Sequence, residues 1–169
     1  MTPPPRPPDA VRAFQREGTR RFLADEPYEP HADRSSRLRM LAAQRPIAAY
    51  LSCSDSRVAP ELLFGRGLGE LFIIRNAGNS LCSTAIGSLE FAVSALQVPL
   101  VVVMGHENCG AVRAAVSVVR EHYSFSANIS KVLQPLYPAI MEVGDEEQHD
   151  LINAASKQNV RRVVRELQE

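Results

Sequence analysis

Three uncharged apolar runs of strand length constrain the fold of this chain more than any other feature of its sequence. They span residues 47–52, 71–74 and 100–104, and segments with helical patterns separate them. Strands without charge are typically covered on both faces, and strands alternating with helices form parallel βαβ units. We therefore expect an α/β protein with a parallel sheet flanked by helices, in which three strands are evident in the order 2-1-3.

The remaining pattern predicts one domain after a short tail. Residues 1–8 are dominated by proline and predict a flexible extended tail, and residues 9–169 predict a single α/β domain. Asp9 is expected to cap a helix that runs to about Ala24. Further helices are expected at about residues 37–43, 60–64, 83–96, 111–119, 132–143 (interrupted by two prolines) and 149–167, with a loop over 121–130.

Length, charge and cysteine content narrow the class of protein. A chain of 169 residues can bury a sizeable core. Its 19 basic and 19 acidic residues balance, so we expect no broad attraction to nucleic acid or to a membrane surface. The start of the chain shows no apolar leader, and three cysteines are an odd number, which together favour a cytoplasmic protein whose thiols bind metal or react.

Two cysteines and a histidine fall where two of the expected strands end. Cys53 follows the first run, and His106 and Cys109 follow the third, at a turn flanked by Gly105 and Gly110. Ligands of open parallel sheets bind beyond the carboxyl ends of the strands. Two thiolates and one imidazole suit zinc, and a site with three protein ligands leaves a fourth position for water.

A charged pair lies close to the first cysteine. Asp55 and Arg57 stand two and four residues after Cys53. As a plain surface salt bridge they would contribute only about 0–1 kcal/mol to stability. Beside a metal, the carboxylate can instead accept a hydrogen bond from water while the guanidinium keeps it ionised. Cys82 has no motif partner, and we expect no metal role for it.

These motifs together resemble one family. The sequence CSDSRV from Cys53 and the sequence HENCGAV from His106 are similar to those of β-class carbonic anhydrases, and the similarity extends from the first expected helix to the last. The resemblance implies reversible hydration of carbon dioxide to bicarbonate and a proton by a zinc-bound hydroxide. It implies Zn²⁺ ligation by Cys53, His106 and Cys109, with Asp55 and Arg57 as a catalytic dyad.

The same resemblance implies a substrate pocket. Gln44 matches a glutamine that helps to hold bicarbonate, and its presence favours the readily active subtype of the family. Phe72, Ala77 and Phe91 match positions that line the pocket, and the Gly110 N–H would contact the substrate. In the family this pocket lies at a dimer interface, so we expect a homodimer or a higher homo-oligomer.

The end of the chain departs from the family pattern. The family normally follows its last helix with two more strands, whereas this chain stops at Glu169 inside that helix. We therefore expect one edge of the third strand to be bare or covered by a partner, which affects stability and assembly.

Three other functions fit parts of the sequence. A protein of the same architecture can hydrolyse carbonyl sulfide or carbon disulfide. A non-catalytic zinc-binding module would use a fourth protein ligand, for which Asp55 is available. A redox thiol protein is disfavoured, because Cys53 and Cys109 are far apart and form no CxxC pair.

Overall fold

The fold is that of a computed structural model, which describes residues 7–26, 33–41, 43–143 and 150–169. Of the expected proline-rich tail, residues 1–6 lie outside the described residues. Pro8 does not belong to a tail, because it is the first residue of helix α1.

Three strands form one parallel sheet in the order β2-β1-β3, as predicted. The strands are β1 (Ala48–Cys53), β2 (Leu71–Asn76) and β3 (Val101–Met104). All six residues of the central strand β1 are buried, which explains why its sequence carries no charge. Within the described sheet, β3 is an edge strand.

Eight α-helices occur among the described residues. They are α1 (Pro8–Leu23), α2 (Arg34–Met40), α3 (Pro60–Leu63), α4 (Ser83–Ser94), α5 (Gly110–Glu121), α6 (Ala127–Leu133), α7 (Tyr137–Met141) and α8 (Leu151–Glu166). Two short 3-10 turns occur at Ala77–Asn79 and Gln134–Leu136. None of the helices in the described ranges is both long enough and apolar enough to cross a bilayer.

Some helix boundaries differ from the prediction for identifiable reasons. Asp9 does not cap α1, because the helix begins at Pro8, where a missing N–H has no cost. Helix α2 starts three residues earlier than expected, since the Asp33 carboxylate accepts the N–H of Ser36 at 3.0 Å. The expected loop over residues 121–130 is wrong in its last part, where α6 begins at Ala127.

The described residues divide into two compact units. The first contains the described residues up to Tyr50, together with Val58–Ile74 and Ile86–Val102. In it, Gly18 of α1 allows close contact with the end of α3, since a Cβ there would lie 2.0 Å from the Phe64 carbonyl oxygen. The expectation of one domain stays a prediction.

The second unit contains Leu51–Arg57, Arg75–Ala85 and the described part of Val103–Glu169. The carboxyl ends of all three strands therefore belong to it, and within it α5, α7 and α8 pack against one another. Both cysteine motifs lie in this unit.

Candidate metal centre and active site

Three potential metal ligands converge in the second unit. Cys53 ends β1, His106 follows β3, and Cys109 immediately precedes α5; one ligand atom from each lies within 4.8 Å of the others. The two Sγ atoms are 3.8 Å apart. A disulfide requires about 2.05 Å, whereas two sulfurs on a tetrahedral zinc, each about 2.3 Å from it, are about 3.8 Å apart. The donor set and its spacing therefore fit zinc.

The ring of His106 is oriented for ligation through Nε2. Its Nδ1 lies 2.9 Å from the Glu107 carbonyl oxygen, to which it donates in the neutral tautomer that binds metals. The Nε2 atom is buried and has no hydrogen-bond partner among the described residues. A buried nitrogen without a partner is costly unless it binds something, and a metal ion satisfies it.

The two thiols differ in how readily they ionise. The pKa of Cys53 is lowered, first by its hydrogen bond with the Cys109 thiol, and further by the backbone N–H groups of Gly78 at 3.3 Å and Asp55 at 3.4 Å, although burial opposes the shift. The pKa of Cys109 is raised, first by the same hydrogen bond and then by burial. Metal binding must therefore displace the proton that the two sulfurs share.

Asp55 and Arg57 form a bidentate pair beside the ligands. Arg57 donates from Nε to Oδ1 at 2.9 Å and from Nη2 to Oδ2 at 2.8 Å. These bonds, and then the Arg57 backbone N–H, hold the pKa of Asp55 well below its usual range. Asp55 Oδ2 lies 3.9 Å from His106 Nε2, and its side chain is only 18% exposed. The pair is thus part of the candidate site and not an isolated surface bridge.

Arg75 is a residue of the site for which the sequence predicted no role. Its Nε donates to the Cys53 carbonyl oxygen at 2.8 Å and its Nη2 to the Asp55 carbonyl oxygen at 2.5 Å. It therefore fixes the backbone that carries both a ligand and the carboxylate. The sequence offered one indication of this role, a cationic residue directly after an apolar run. In the structure, strand β2 includes Arg75 and ends at Asn76.

The predicted substrate residues are divided between the two units. Gln44, Phe72 and Phe91 belong to the first, where Gln44 is exposed and the two rings pack with centroids 6.2 Å apart. Ala77 and Gly110 belong to the second. Ala77 opens the 3-10 turn after β2, and Gly110 opens α5 with free space on the side where a side chain would project. Their roles in substrate binding stay predictions.

Cys82 lies apart from the ligands. It is exposed and free, and the group formed by Cys53, His106 and Cys109 does not include it. The fold and the site together define an α/β protein with a candidate Cys2His metal centre.

Comparisons with known proteins identify the family. The carbonic anhydrase family model matches residues 48–169. The carbonic anhydrase of Mycolicibacterium smegmatis is 37% identical over 161 residues, which are 95% of this chain and 78% of that protein. Carbonic anhydrase 2 of Mycobacterium tuberculosis is 38% identical over 134 residues, which are 79% of this chain and 65% of that protein.

A solved structure agrees with the sequence comparisons. The β-carbonic anhydrase CcaA superposes with a TM-score of 0.68 at 26% identity, covering 95% of this chain and 71% of that chain. The chain belongs to the β-carbonic anhydrase family.

Proposed function

We propose that this protein catalyses the reversible hydration of carbon dioxide to bicarbonate and a proton, with Zn²⁺ held by Cys53, His106 and Cys109. The observation that carries the proposal is the 3.8 Å separation of two buried sulfurs, with a ring nitrogen within 4.8 Å, beside a fixed carboxylate. Membership of the carbonic anhydrase family supports the reaction.

The residues of the site have separate tasks in this proposal. When bound, zinc acts as a Lewis acid that makes water nucleophilic near neutral pH, chemistry for which carbonic anhydrase is itself the standard example. His106 presents Nε2 because its Nδ1 is used by the Glu107 carbonyl. The Cys53 sulfur keeps two backbone N–H donors, which stabilise it as a thiolate.

Asp55 is proposed to accept a hydrogen bond from the attacking water. Its Oδ2 lies beside the ligand atom of His106, where it can accept a hydrogen bond from the attacking water and direct an oxygen lone pair toward carbon dioxide. Arg57 holds both carboxylate oxygens, so the group stays ionised and oriented. Arg75 supports the same segment through its backbone.

This geometry supports a catalytic site over a closed structural one. A structural zinc site normally has four protein ligands, whereas the group of potential ligands found among the described residues has three members. Asp55 was the candidate for a fourth ligand; its Oδ1 already accepts two N–H groups of Arg57, whereas Oδ2 accepts one and keeps a lone pair that can accept a hydrogen bond from water. We therefore assign Asp55 to catalysis and not to zinc ligation.

The proposal includes the substrate pocket and the assembly. Gln44, Phe72, Ala77, Phe91 and Gly110 are proposed to bind carbon dioxide and bicarbonate, on the strength of their match to the family motifs. A homodimer or higher homo-oligomer is proposed as the active form.

Exposed apolar side chains support such an assembly. Phe14, Phe22 and Leu23 of α1 are 44%, 49% and 77% exposed, and Phe91 is 51% exposed. Covering such groups favours association. A cytoplasmic location is proposed because the cysteines are free and the site requires reduced thiols.

A stopped-flow assay of carbon dioxide hydration, with zinc determined on the same sample, tests the proposal. We expect one zinc per chain and hydration that Asp55→Asn lowers by about 10- to 100-fold in kcat/KM. Carbonyl sulfide hydrolysis measured in parallel should be slower. Stoichiometric zinc without hydration at alkaline pH would instead identify a non-catalytic module.

A further inference from the structure

Helix α8 contacts both loops that carry the metal ligands. Four residues on one side of this helix face the second unit's site: Asn153, Ser156, Asn159 and Val160. Asn153, Ser156 and Asn159 are three residues apart, and Val160 is four residues after Ser156, so all four lie on one side of the helix. We call these four residues the α8 site face.

Asn159 connects the helix to the Cys53 sulfur through one turn. It is 3% exposed, and its Nδ2 donates to the Gly78 carbonyl oxygen at 3.1 Å. The N–H of Gly78 in turn donates to Cys53 Sγ at 3.3 Å. Gly78 has φ 77°, a conformation that glycine adopts freely, and because glycine is conformationally permissive its hydrogen bonds fix the orientation of its peptide groups. The buried amide of Asn159 supplies one of these hydrogen bonds.

Asn153 makes the corresponding contact with the other ligand loop. Its Oδ1 accepts the backbone N–H of Asn108 at 2.8 Å. Asn108 lies between His106 and Cys109 and has φ 52°, a left-handed conformation that is uncommon for a residue with a side chain. Asn153 therefore stabilises the turn that brings the imidazole and the second thiol onto one side.

The middle of the α8 site face packs directly on the backbone before His106. A Cβ at Gly105 would lie 2.8 Å from Val160 Cγ2 and 3.5 Å from the Ser156 carbonyl oxygen. The helix is thus in contact with the ligand loop between its two asparagine bonds. Movement of α8 would disturb both loops at once.

We propose that Asn153 and Asn159 are positioning residues of the metal centre, which set zinc affinity and the hydrogen bonding of the Cys53 thiolate from helix α8. This inference rests on the proposed zinc site. Partners of this kind orient metal ligands, and their loss typically weakens metal binding by about 10- to 100-fold.

The two asparagines use opposite ends of their amides, which provides a matched test. Asn153 acts as an acceptor, so Asn153→Asp keeps the contact and Asn153→Ala removes it. Asn159 acts as a donor, so both Asn159→Asp and Asn159→Ala remove it. Lys157→Ala, an exposed position on the same helix, is the control.

The experiment measures zinc affinity by competition with a chromophoric chelator, and the sulfur-to-cobalt charge-transfer band after Co²⁺ substitution. We expect zinc binding about 10- to 100-fold weaker for Asn153→Ala and for both Asn159 variants, and near wild type for Asn153→Asp and Lys157→Ala. The Asn159 variants should also shift the band to lower energy, because the Gly78 residue whose N–H donates to the thiolate loses its support and that hydrogen bond weakens. A merely structural role would not move that band.

Unchanged affinity and an unchanged band in a folded Asn159→Ala protein would overturn the proposal. If the Asn159 variants do not fold, equal zinc affinity of Asn153→Ala and Asn153→Asp overturns it. A wild-type protein that binds no zinc would refute the proposed function itself. Wild-type zinc binding with indifferent variants would refute only the role of α8.

Discussion

Replacing Gly78 with alanine should destabilise the protein, because two costs coincide at this position. The residue has φ 77°, which costs about 1–2 kcal/mol for a residue with a Cβ. The added methyl would lie 2.8 Å from Leu136 Cδ1 and 3.3 Å from Ala111 Cβ, and such overpacking typically costs about 1–3 kcal/mol. The lower entropy of the unfolded alanine chain returns about 0.4–1 kcal/mol. The net loss is about 1–5 kcal/mol.

Gly87→Ala is the matched control for this substitution. Gly87 lies inside α4, and apart from the backbone of this helix no heavy atom of the described residues lies within 4 Å of the position of an added Cβ. Alanine in a helix interior should stabilise the protein by about 0.5–1 kcal/mol. Both substitutions replace glycine with alanine. Because the surroundings of the two glycines differ, we expect the free energy of unfolding to fall for Gly78→Ala and to rise for Gly87→Ala.

Urea unfolding at a fixed saturating zinc concentration measures both effects. A repeat with chelator present separates the stability of the fold from the contribution of the metal. A Gly78→Ala protein as stable as wild type, or one that changes in the same direction as Gly87→Ala, would refute the reasoning about this turn.

Three further predictions concern the same unit. Gly105→Ala should lower the free energy of unfolding by about 1–3 kcal/mol, since its methyl would lie 2.8 Å from α8; urea denaturation tests this. Arg57→Ala should lower kcat/KM by about 10- to 100-fold while zinc content stays at one per chain, because the Asp55 carboxylate loses its two side-chain bonds; combined kinetics and metal analysis test this. Hydrogen bonds from Gln158 and then from Arg162 lower the pKa of Glu142 in the folded protein. The ionised carboxylate therefore stabilises the folded state above the pKa of the unfolded chain, and this stabilisation is lost as pH falls through the folded-state pKa. Glu142→Gln should therefore lower Tm slightly at pH 7, and the difference should disappear in acid; a Tm difference that grew in acid would be inconsistent with this.

The sequence predicted the sheet and the convergence of three potential ligands, because both depend on local patterns; the ligand roles themselves stay predictions. Uncharged runs marked the three strands, and their order was confirmed. Cys53, His106 and Cys109 were expected to converge because all three follow strand ends, and the structure brings their ligand atoms together. The pairing of Asp55 with Arg57 was also visible from spacing alone.

The contacts that the sequence did not reveal join distant segments through the backbone. Arg75 donates to the carbonyl oxygens of Asp55 and Cys53, which lie 20 and 22 positions earlier in the chain. Asn159 donates to the carbonyl oxygen of Gly78, which lies 81 positions earlier. Every residue type carries a backbone carbonyl, so the sequence does not show which carbonyl accepts a hydrogen bond from a distant side chain. Only a polar residue on a buried helix face, such as Asn159, offered a hint.

The predicted helix boundaries were wrong where a capping side chain or tertiary packing determines the start of the helix. Helix α2 begins at Arg34, before the predicted start, because the carboxylate of Asp33 caps it. Helix α6 has a weak apolar pattern, and it is Leu133, buried to 2% exposure, that attaches it to the core. Packing of this kind overrides local propensity.

The role of the two buried thiols as zinc ligands is tested by the zinc content of the purified protein after exhaustive dialysis, with Cys109→Ser compared with Cys82→Ser. The same substitution is made at a buried ligand in one protein and at an exposed cysteine outside the ligand group in the other. We expect one zinc per chain in wild type and in Cys82→Ser, and loss of zinc in Cys109→Ser. Equal zinc in both variants, or no zinc in reconstituted wild type, would contradict this role.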